Sequence, residues 1–445
     1  MLSRREFLAT AALLPGQSAK PKPNIVLILA DDLGYGDLGC YGNKGNRTPH
    51  LDRMAAEGLR FTDFHSNGPM CTPTRAALLT GLYQQRFGRQ FESALGGAAG
   101  SPGGLPLEVV TLPERLREAG YVSGMFGKWH LGYAPPLLPT RQGFDEFRGL
   151  TSGDGDHHTQ IDRSGGKDWW NGERIEMEKG YTADLLTGHS VSFLERHADR
   201  PFFLYVPHLA IHFPWQGPDD PPHRLKGRDY SDDKWGVIPN RGNVAPHVKA
   251  MVESLDQSVG RILGALRRLK LEENTLVIFT SDNGGYINYA GGFEKISSNG
   301  PLRGQKTEMF EGGHRVPAMM RWPGRIKPAV SHQTAMTFDL SRTILSLAGV
   351  HAENLDGADL GPLLFSGKPL PERTLFWRMR ENKAVRRGPW KLVSLQGREP
   401  MLFDLASDIG ENRDLATRRP EMVRELTGTL AAWEANVGRA HSPAR

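Results

Sequence analysis

Three uninterrupted apolar runs limit what this chain can fold into more than any other feature. Asn24-Ile25-Val26-Leu27-Ile28-Leu29-Ala30, Pro201-Phe202-Phe203-Leu204-Tyr205-Val206 and Thr275-Leu276-Val277-Ile278-Phe279-Thr280 lack the alternation of a half-exposed strand. Each therefore predicts a strand covered on both faces, as in a parallel sheet. Each run also stops abruptly at polar residues: Asp31-Asp32-Leu33-Gly34, Pro207-His208 with His212 just beyond, and Ser281-Asp282-Asn283-Gly284-Gly285. Ligands gather at the carboxyl ends of strands in open α/β sheets, so these three ends predict one shared site.

Helical patterns lie between the strands and make the class α/β. One covers 112–120, with Thr111 as N-cap and Gly120 as stop; another covers 248–269, apolar at Met251, Leu255, Val259 and Ile262. Gly-rich, polar stretches over 96–106 and 153–172 predict loops. A helical pattern over 338–350 closes a large domain at 21–350. Beyond it, strand-like runs at 374–379, 391–395 and 401–405 and a helix at 420–437 predict a smaller α+β domain, 351–445, with a short antiparallel sheet.

A chain of 445 residues, 38% hydrophobic, can bury a large core, and two cysteines allow at most one disulfide. The formal charge of +5 suits an anionic substrate, but no Lys/Arg block or nucleic-acid module accompanies it, so no nucleic-acid partner is expected. Residues 1–20 carry Arg4-Arg5, Phe7-Leu8, a short apolar stretch and small residues near Ala19. That is the form of a twin-arginine signal peptide. No stretch approaches the roughly 18 apolar residues of a membrane span. The chain is thus expected to be exported through the twin-arginine machinery to the periplasm or outside the cell, and not to be an integral membrane protein.

Asp31, Asp32, Asp282 and Asn283 offer hard oxygen ligands of the kind Ca²⁺ or Mg²⁺ prefers, and adjacent acids at a strand end repel unless a cation lies between them. Cys71 stands in the frame Cys71-Thr72-Pro73-Thr74-Arg75, followed by Leu79-Thr80-Gly81. Taken singly, Cys71 reads as a small buried residue, Lys128 and Lys306 as surface lysines, and His130 and His212 as core histidines. Their ordered company is what singles them out.

The C-x-P-x-R frame, the Asp31-Asp32 and Asp282-Asn283 pairs, Gly127-Lys128-Trp129-His130-Leu131-Gly132, His212-Phe213-Pro214, Arg303 and Lys306 before Glu311-Gly312-Gly313, and Arg315-Val316-Pro317 resemble the type I, formylglycine-dependent sulfatases, arylsulfatase-like members of the alkaline phosphatase superfamily. Trp390-Lys391-Leu392 and Leu402-Phe403-Asp404-Leu405 extend the resemblance, which spans roughly 24–415. It implies an alkaline-phosphatase-like core with a mainly parallel central sheet flanked by helices. It also implies a sulfuric ester hydrolase in which a maturing enzyme converts Cys71 to Cα-formylglycine.

One divalent cation, Ca²⁺ ahead of Mg²⁺, would be held by Asp31, Asp32, Asp282, Asn283 and position 71. Arg75 would steady the hydrated aldehyde, and Lys128, Lys306 and His212 would hold the sulfate oxygens. In the implied mechanism a hydroxyl aided by Asp282 attacks sulfur, His212 or Lys306 protonates the departing alcohol, and His130 deprotonates the second hydroxyl to expel sulfate. The expected substrates are sulfated poly- or oligosaccharides, with aryl sulfates as surrogates. The alternatives are a formylglycine-dependent phosphonate or phosphodiester hydrolase and a silent sulfated-glycan binder.

Loops at 91–106, 151–175 and 215–245 are expected to set specificity, with Trp169, Trp170, Trp215 and Trp235 as sugar-stacking or packing residues. Ser152 is a loose match to a sulfate-contacting serine. Gly153-Asp154-Gly155-Asp156-His157-His158 reads as a substrate loop in preference to a second metal site.

Overall fold

The computed structural model describes residues 22–97 and 101–438. The proposed signal segment, 1–20, lies outside them. A ten-stranded sheet forms the centre. Its middle strand, Asn24–Ala30, pairs in parallel with Phe202–Pro207 on one side and Thr275–Ser281 on the other. Val122–Lys128 and then Glu146–Leu150 continue the parallel pairing, and Ala318–Arg321 pairs antiparallel to Thr275–Ser281.

The unbroken apolar character of the middle strand has a direct cause. Ile25, Leu27 and Leu29 enter one core cluster, while Val26, Ile28 and Ala30 enter another on the opposite face. Period-two alternation survives as alternation between two cores, not between core and water. Helices Cys71–Thr80, Leu112–Glu118 and Thr337–Ala348 contribute to the first core, and Thr182–Arg196 and Ala245–Arg268 to the second. Met251, Leu255, Val259 and Ile262 lie on the buried face of Ala245–Arg268. Thr111 caps Leu112–Glu118 in a reciprocal box with Glu114.

Register brings the strand ends level, with Leu29 opposite Pro207 and Ala30 opposite Ser281. Gly127, at φ +143°, lets Val122–Lys128 press against its neighbour, since a Cβ there would lie 1.9 Å from the Pro207 carbonyl oxygen. That contact places Lys128 beside the central strand end.

The C-terminal part is a four-stranded antiparallel sheet, Thr374–Met379, Asn382–Arg387, Trp390–Ser394 and Met401–Asp404, with helix Pro420–Val437 packed on it. Tyr83, Phe310 and Phe338 complete its apolar cluster with Trp377 and Trp433. Beneath the sheet, Lys391 Nζ lies 2.9 Å from Glu311 Oε1, 2.9 Å from Glu411 Oε1 and 3.1 Å from His314 Nε2. Burial would raise the Glu311 carboxyl, but Lys391, with His65 and Arg386, holds it well below the usual range.

His65, Glu311 and His314 are spaced as a cation site would be, yet the Lys391 ammonium bonds to two of them. Removing one partner from such a buried network costs about 3 kcal/mol or more because the remaining charge stays buried and unpaired. Lys391→Met is therefore expected to lower the thermal unfolding midpoint by several degrees. A midpoint equal to that of the unaltered protein sinks this account.

Candidate active site

The carboxyl ends of the three central strands converge as their polar endings require. Asp282 N–H donates to the Ala30 carbonyl at 3.1 Å, and His208 N–H donates to that of Leu29 at 2.8 Å. Asp32 adopts φ +66°, a left-handed conformation that costs of order 1–3 kcal/mol and persists only where its surroundings enforce it. Here Asn283 Nδ2 donates to Asp32 Oδ1 at 2.8 Å, and Lys306 Nζ pairs with the same oxygen.

The glycines after Asn283 have a steric purpose. A Cβ on Gly284 would lie 1.8 Å from the Gly312 carbonyl oxygen, and Gly284 N–H donates to that of Gly313 at 2.9 Å. The two Gly-Gly segments thus run in contact, and Lys306 N–H donates to the Gly285 carbonyl at 3.2 Å beside them.

Cys71 opens a helix whose ten residues are all buried. One turn on, Arg75 donates through Nε and Nη2 to Asp282 Oδ2, at 3.0 and 2.8 Å, and through Nη1 to the Lys128 carbonyl at 2.6 Å. Cys71 Sγ lies 3.1 Å from His130 Nδ1, and His130 Nε2 lies 3.0 Å from the Leu95 carbonyl. A carbonyl only accepts, so Nε2 carries the proton and Nδ1 presents its lone pair to position 71. Burial, then Lys128 and Arg75, hold His130 well below the ordinary histidine range, which keeps that lone pair free.

Cys71, His130, His212 and Lys306 line a cavity of about 450 Å³, and the other residues singled out from the sequence pack behind them. His212 donates through Nδ1 to the Phe213 carbonyl at 2.8 Å, leaving Nε2 3.8 Å from Asp32 Oδ2. Burial would lower Lys306, but Asp32 and neighbouring groups hold it well above its ordinary range as an ammonium. Lys128, expected on the sulfate oxygens, ends instead on Asp31 Oδ2 at 2.6 Å and is fully buried.

The oxygen set fits a hard divalent cation. Asp31 Oδ1 and Asn283 Oδ1 are buried without a hydrogen-bond partner. Ligand atoms of Asp31, Cys71 and Asp282 lie within 4.8 Å of one another. Burial and the nearby Asp282 push the Asp31 carboxyl well above its ordinary range, more than Lys128 and Arg75 pull it down. Positive charge among these oxygens would relieve all three conditions.

The family model for sulfatases matches residues 23–350. The chain belongs to the sulfatase family. It is 37% identical to human arylsulfatase A, over 93% of this chain and 88% of that protein. It is 38% identical to dog N-acetylgalactosamine-6-sulfatase, over 86% and 74% of the two chains. A crystal structure of Ps i-CgsB in complex with k-i-k-neocarrahexaose superposes with a TM-score of 0.81 at 29% identity, covering 95% of this chain and 94% of the other. The chain is thus a sulfate ester hydrolase of the alkaline phosphatase superfamily.

The loops around this sulfatase's cavity differ in part from expectation. Trp169, Trp170 and Trp215 are buried at 0, 6 and 2% exposure, so they pack the interior and do not present a face to sugar; only Trp235 is part-exposed, in a neighbouring depression. Tyr133, Phe213, Tyr286 and Tyr289 line the cavity in their place. Single aromatic residues in irregular segments carry no periodic signal, which is why sequence reading did not find Tyr286 and Tyr289.

Ser152 also lines the cavity, with its hydroxyl turned to the Asp154 carbonyl at 2.8 Å. The acidic and histidine side chains of 154–158 are occupied by the loops they fasten: Asp156 accepts from the N–H groups of His158, Thr159, His223 and Arg224, and His157 and His158 face the carbonyls of His212 and Gly217. They form none of the ligand clusters found among the described residues. After exhaustive chelation, added Ca²⁺ is expected to raise the thermal unfolding midpoint of the sulfatase, and Asp31→Asn to abolish that rise. An equal rise in the variant removes Asp31 from the binding set.

Proposed function

We propose that this sulfatase removes sulfate from a sulfated oligo- or polysaccharide, using Cys71 matured to formylglycine and one divalent cation held by Asp31, Asp32, Asp282, Asn283 and position 71. The observation that carries the reading is the 3.1 Å approach of Cys71 Sγ to the lone-pair nitrogen of His130, within the cavity that Lys306 and His212 also line. The N-acetylgalactosamine-6-sulfatase relatives and the oligosaccharide bound to the structural neighbour support a glycan substrate. As formylglycine, position 71 supplies a hydrated aldehyde, with one hydroxyl for sulfur and a second whose deprotonation releases sulfate. When bound, the cation supplies polarisation of a sulfate oxygen; Ca²⁺ is preferred to Mg²⁺.

The residues divide the remaining work. Lys306, held as an ammonium, faces the ester from the cavity wall, where it can hold a sulfate oxygen and protonate the departing alcohol, while His212 lines the same wall with its Nε2 lone pair. His130 takes the proton from the hydroxyl that stays behind. Arg75 clamps Asp282 and the Lys128 backbone, so that the carboxylate and the nucleophile keep their relative positions. Lys128 neutralises Asp31.

The large domain at 21–350, the subdomain at 351–445, the export signal at 1–20 and the maturing enzyme as an obligate partner belong to the same reading. Among the described residues no helix is long and apolar enough to cross a membrane.

Two measurements test it. Protein co-expressed with a formylglycine-generating enzyme is expected to hydrolyse an aryl sulfate faster than the matching aryl phosphodiester, and the reverse order makes it a phosphodiesterase. Cys71→Ser provides one hydroxyl in place of two. It is expected to react once and remain sulfated, visible as a mass increase on the peptide carrying position 71; sustained turnover by this variant removes the second hydroxyl from the mechanism.

A further inference from the structure

Arg163 stands at the wall of the cavity and has no part in the chemistry above. Its guanidinium carbon lies 5.4 Å from the centre of the Phe213 ring, next to His212. Its Nε and Nη2 both donate to one oxygen, Asp154 Oδ2, at 3.2 and 2.9 Å. The same oxygen accepts from Arg224 Nη2 at 3.0 Å. One carboxylate is thus shared by two guanidinium groups, and the group carries surplus positive charge.

The three differ in access. Arg224 and Asp154 are 0% and 5% exposed, while the Arg163 side chain is 38% exposed. Arg224 cannot reach a ligand, and its Nε and Nη1 are buried without partners. Its effect is to fix Asp154, whose carboxyl burial would raise but which Arg224 and Arg163 hold at about 2. Arg163 is therefore anchored at two nitrogens while its Nη1 makes no bond among the described residues. Lys234 Nζ lies over the same aromatic wall, 5.7 Å from the Phe213 ring centre and 5.4 Å from that of Tyr289, without an ion pair among the described residues. Asp162 also borders the cavity, but it is 2% exposed and turns one oxygen to the Ser164 hydroxyl and Gly166 N–H of its own loop.

We propose that Arg163, preset by Asp154 and Arg224 and assisted by Lys234, binds a second oxyanion on the substrate, a further sulfate or a uronate carboxylate on the same or the adjoining sugar. The proposal rests on the sulfatase reading and makes the preferred substrate a multiply anionic glycan. A guanidinium held at a fixed angle beside an aromatic face matches an oxyanion on a ring that stacks there, and an uncharged sugar leaves its surplus charge uncompensated.

The test compares kcat/KM of the matured enzyme and of Arg163→Leu and Arg163→Lys on three probes. These are a monosulfated N-acetylhexosamine, its disulfated counterpart, and a monosulfated disaccharide that includes a uronic acid. Arg163→Leu is expected to reduce the preference for one or both doubly anionic probes over the monosulfated one by about 10- to 100-fold, the worth of a charge-assisted hydrogen bond, chiefly through KM. Arg163→Lys is expected to restore part of it. The probe whose preference falls identifies the oxyanion as sulfate or carboxylate.

Equal losses on all three probes, or an unchanged preference, overturn the subsite. Unaltered enzyme that hydrolyses none of the three, nor an aryl sulfate, overturns the underlying sulfatase reading instead.

Discussion

The structure depends on concentrating three carboxylates, Asp31, Asp32 and Asp282, in a place with almost no water. They are 0, 3 and 0% exposed. Burying isolated charges costs several kcal/mol each even after relaxation, so the fold brings Arg75, Lys128 and Lys306 to them from three separate segments. Each base is placed by a backbone device: Arg75 by a buried helix, Lys128 by a strand that Gly127 allows to close in, and Lys306 by the paired Gly-Gly segments. Three acids against three bases leave the group near neutrality. A divalent cation bound there would create a positive surplus under the cavity floor, which would favour an incoming sulfate ester.

The C-terminal sheet serves the same balance at a distance. Glu411 accepts from the Glu311 N–H at 2.7 Å, and its carbonyl accepts from Arg303 Nη1 at 2.7 Å, so it holds both ends of the segment that carries Lys306. Lys391 then bridges the Glu311 and Glu411 carboxylates. A sheet that contributes nothing to the cavity wall thereby positions one of its cations.

Much of this was legible in the sequence because burial on both faces leaves an unbroken apolar run, and the polar residues that end such runs are the ones the sheet gathers. The ten expected site residues do surround one centre. Less was legible where a strand is made by its partners. Asn382–Arg387 reads as polar, yet Arg386 is buried because Asp63 receives it at 2.7 Å from across the chain. Val122–Lys128 hides its strand character behind two glycines needed for close contact. The pairing of Asp154 with Arg163 and Arg224 joins an acid to bases 9 and 70 positions away, and nothing local announces it. The tryptophans were ambiguous for the converse reason, since a large amphipathic ring suits a core and a sugar equally.

The opening turn of the Cys71 helix sets a condition on the life history of the chain. Cys71 is 1% exposed, Pro73 is buried and Arg75 is wholly enclosed. A small sulfate ester can enter the cavity, but another protein cannot grip the Cys-Thr-Pro-Thr-Arg stretch while it is helical and covered. Any enzyme that alters the thiol must therefore meet this stretch as extended polypeptide, during synthesis or in a transient opening. Such a modification and folding would compete in time for the same residues, and a molecule that folds first would stay closed to the enzyme until it opens again.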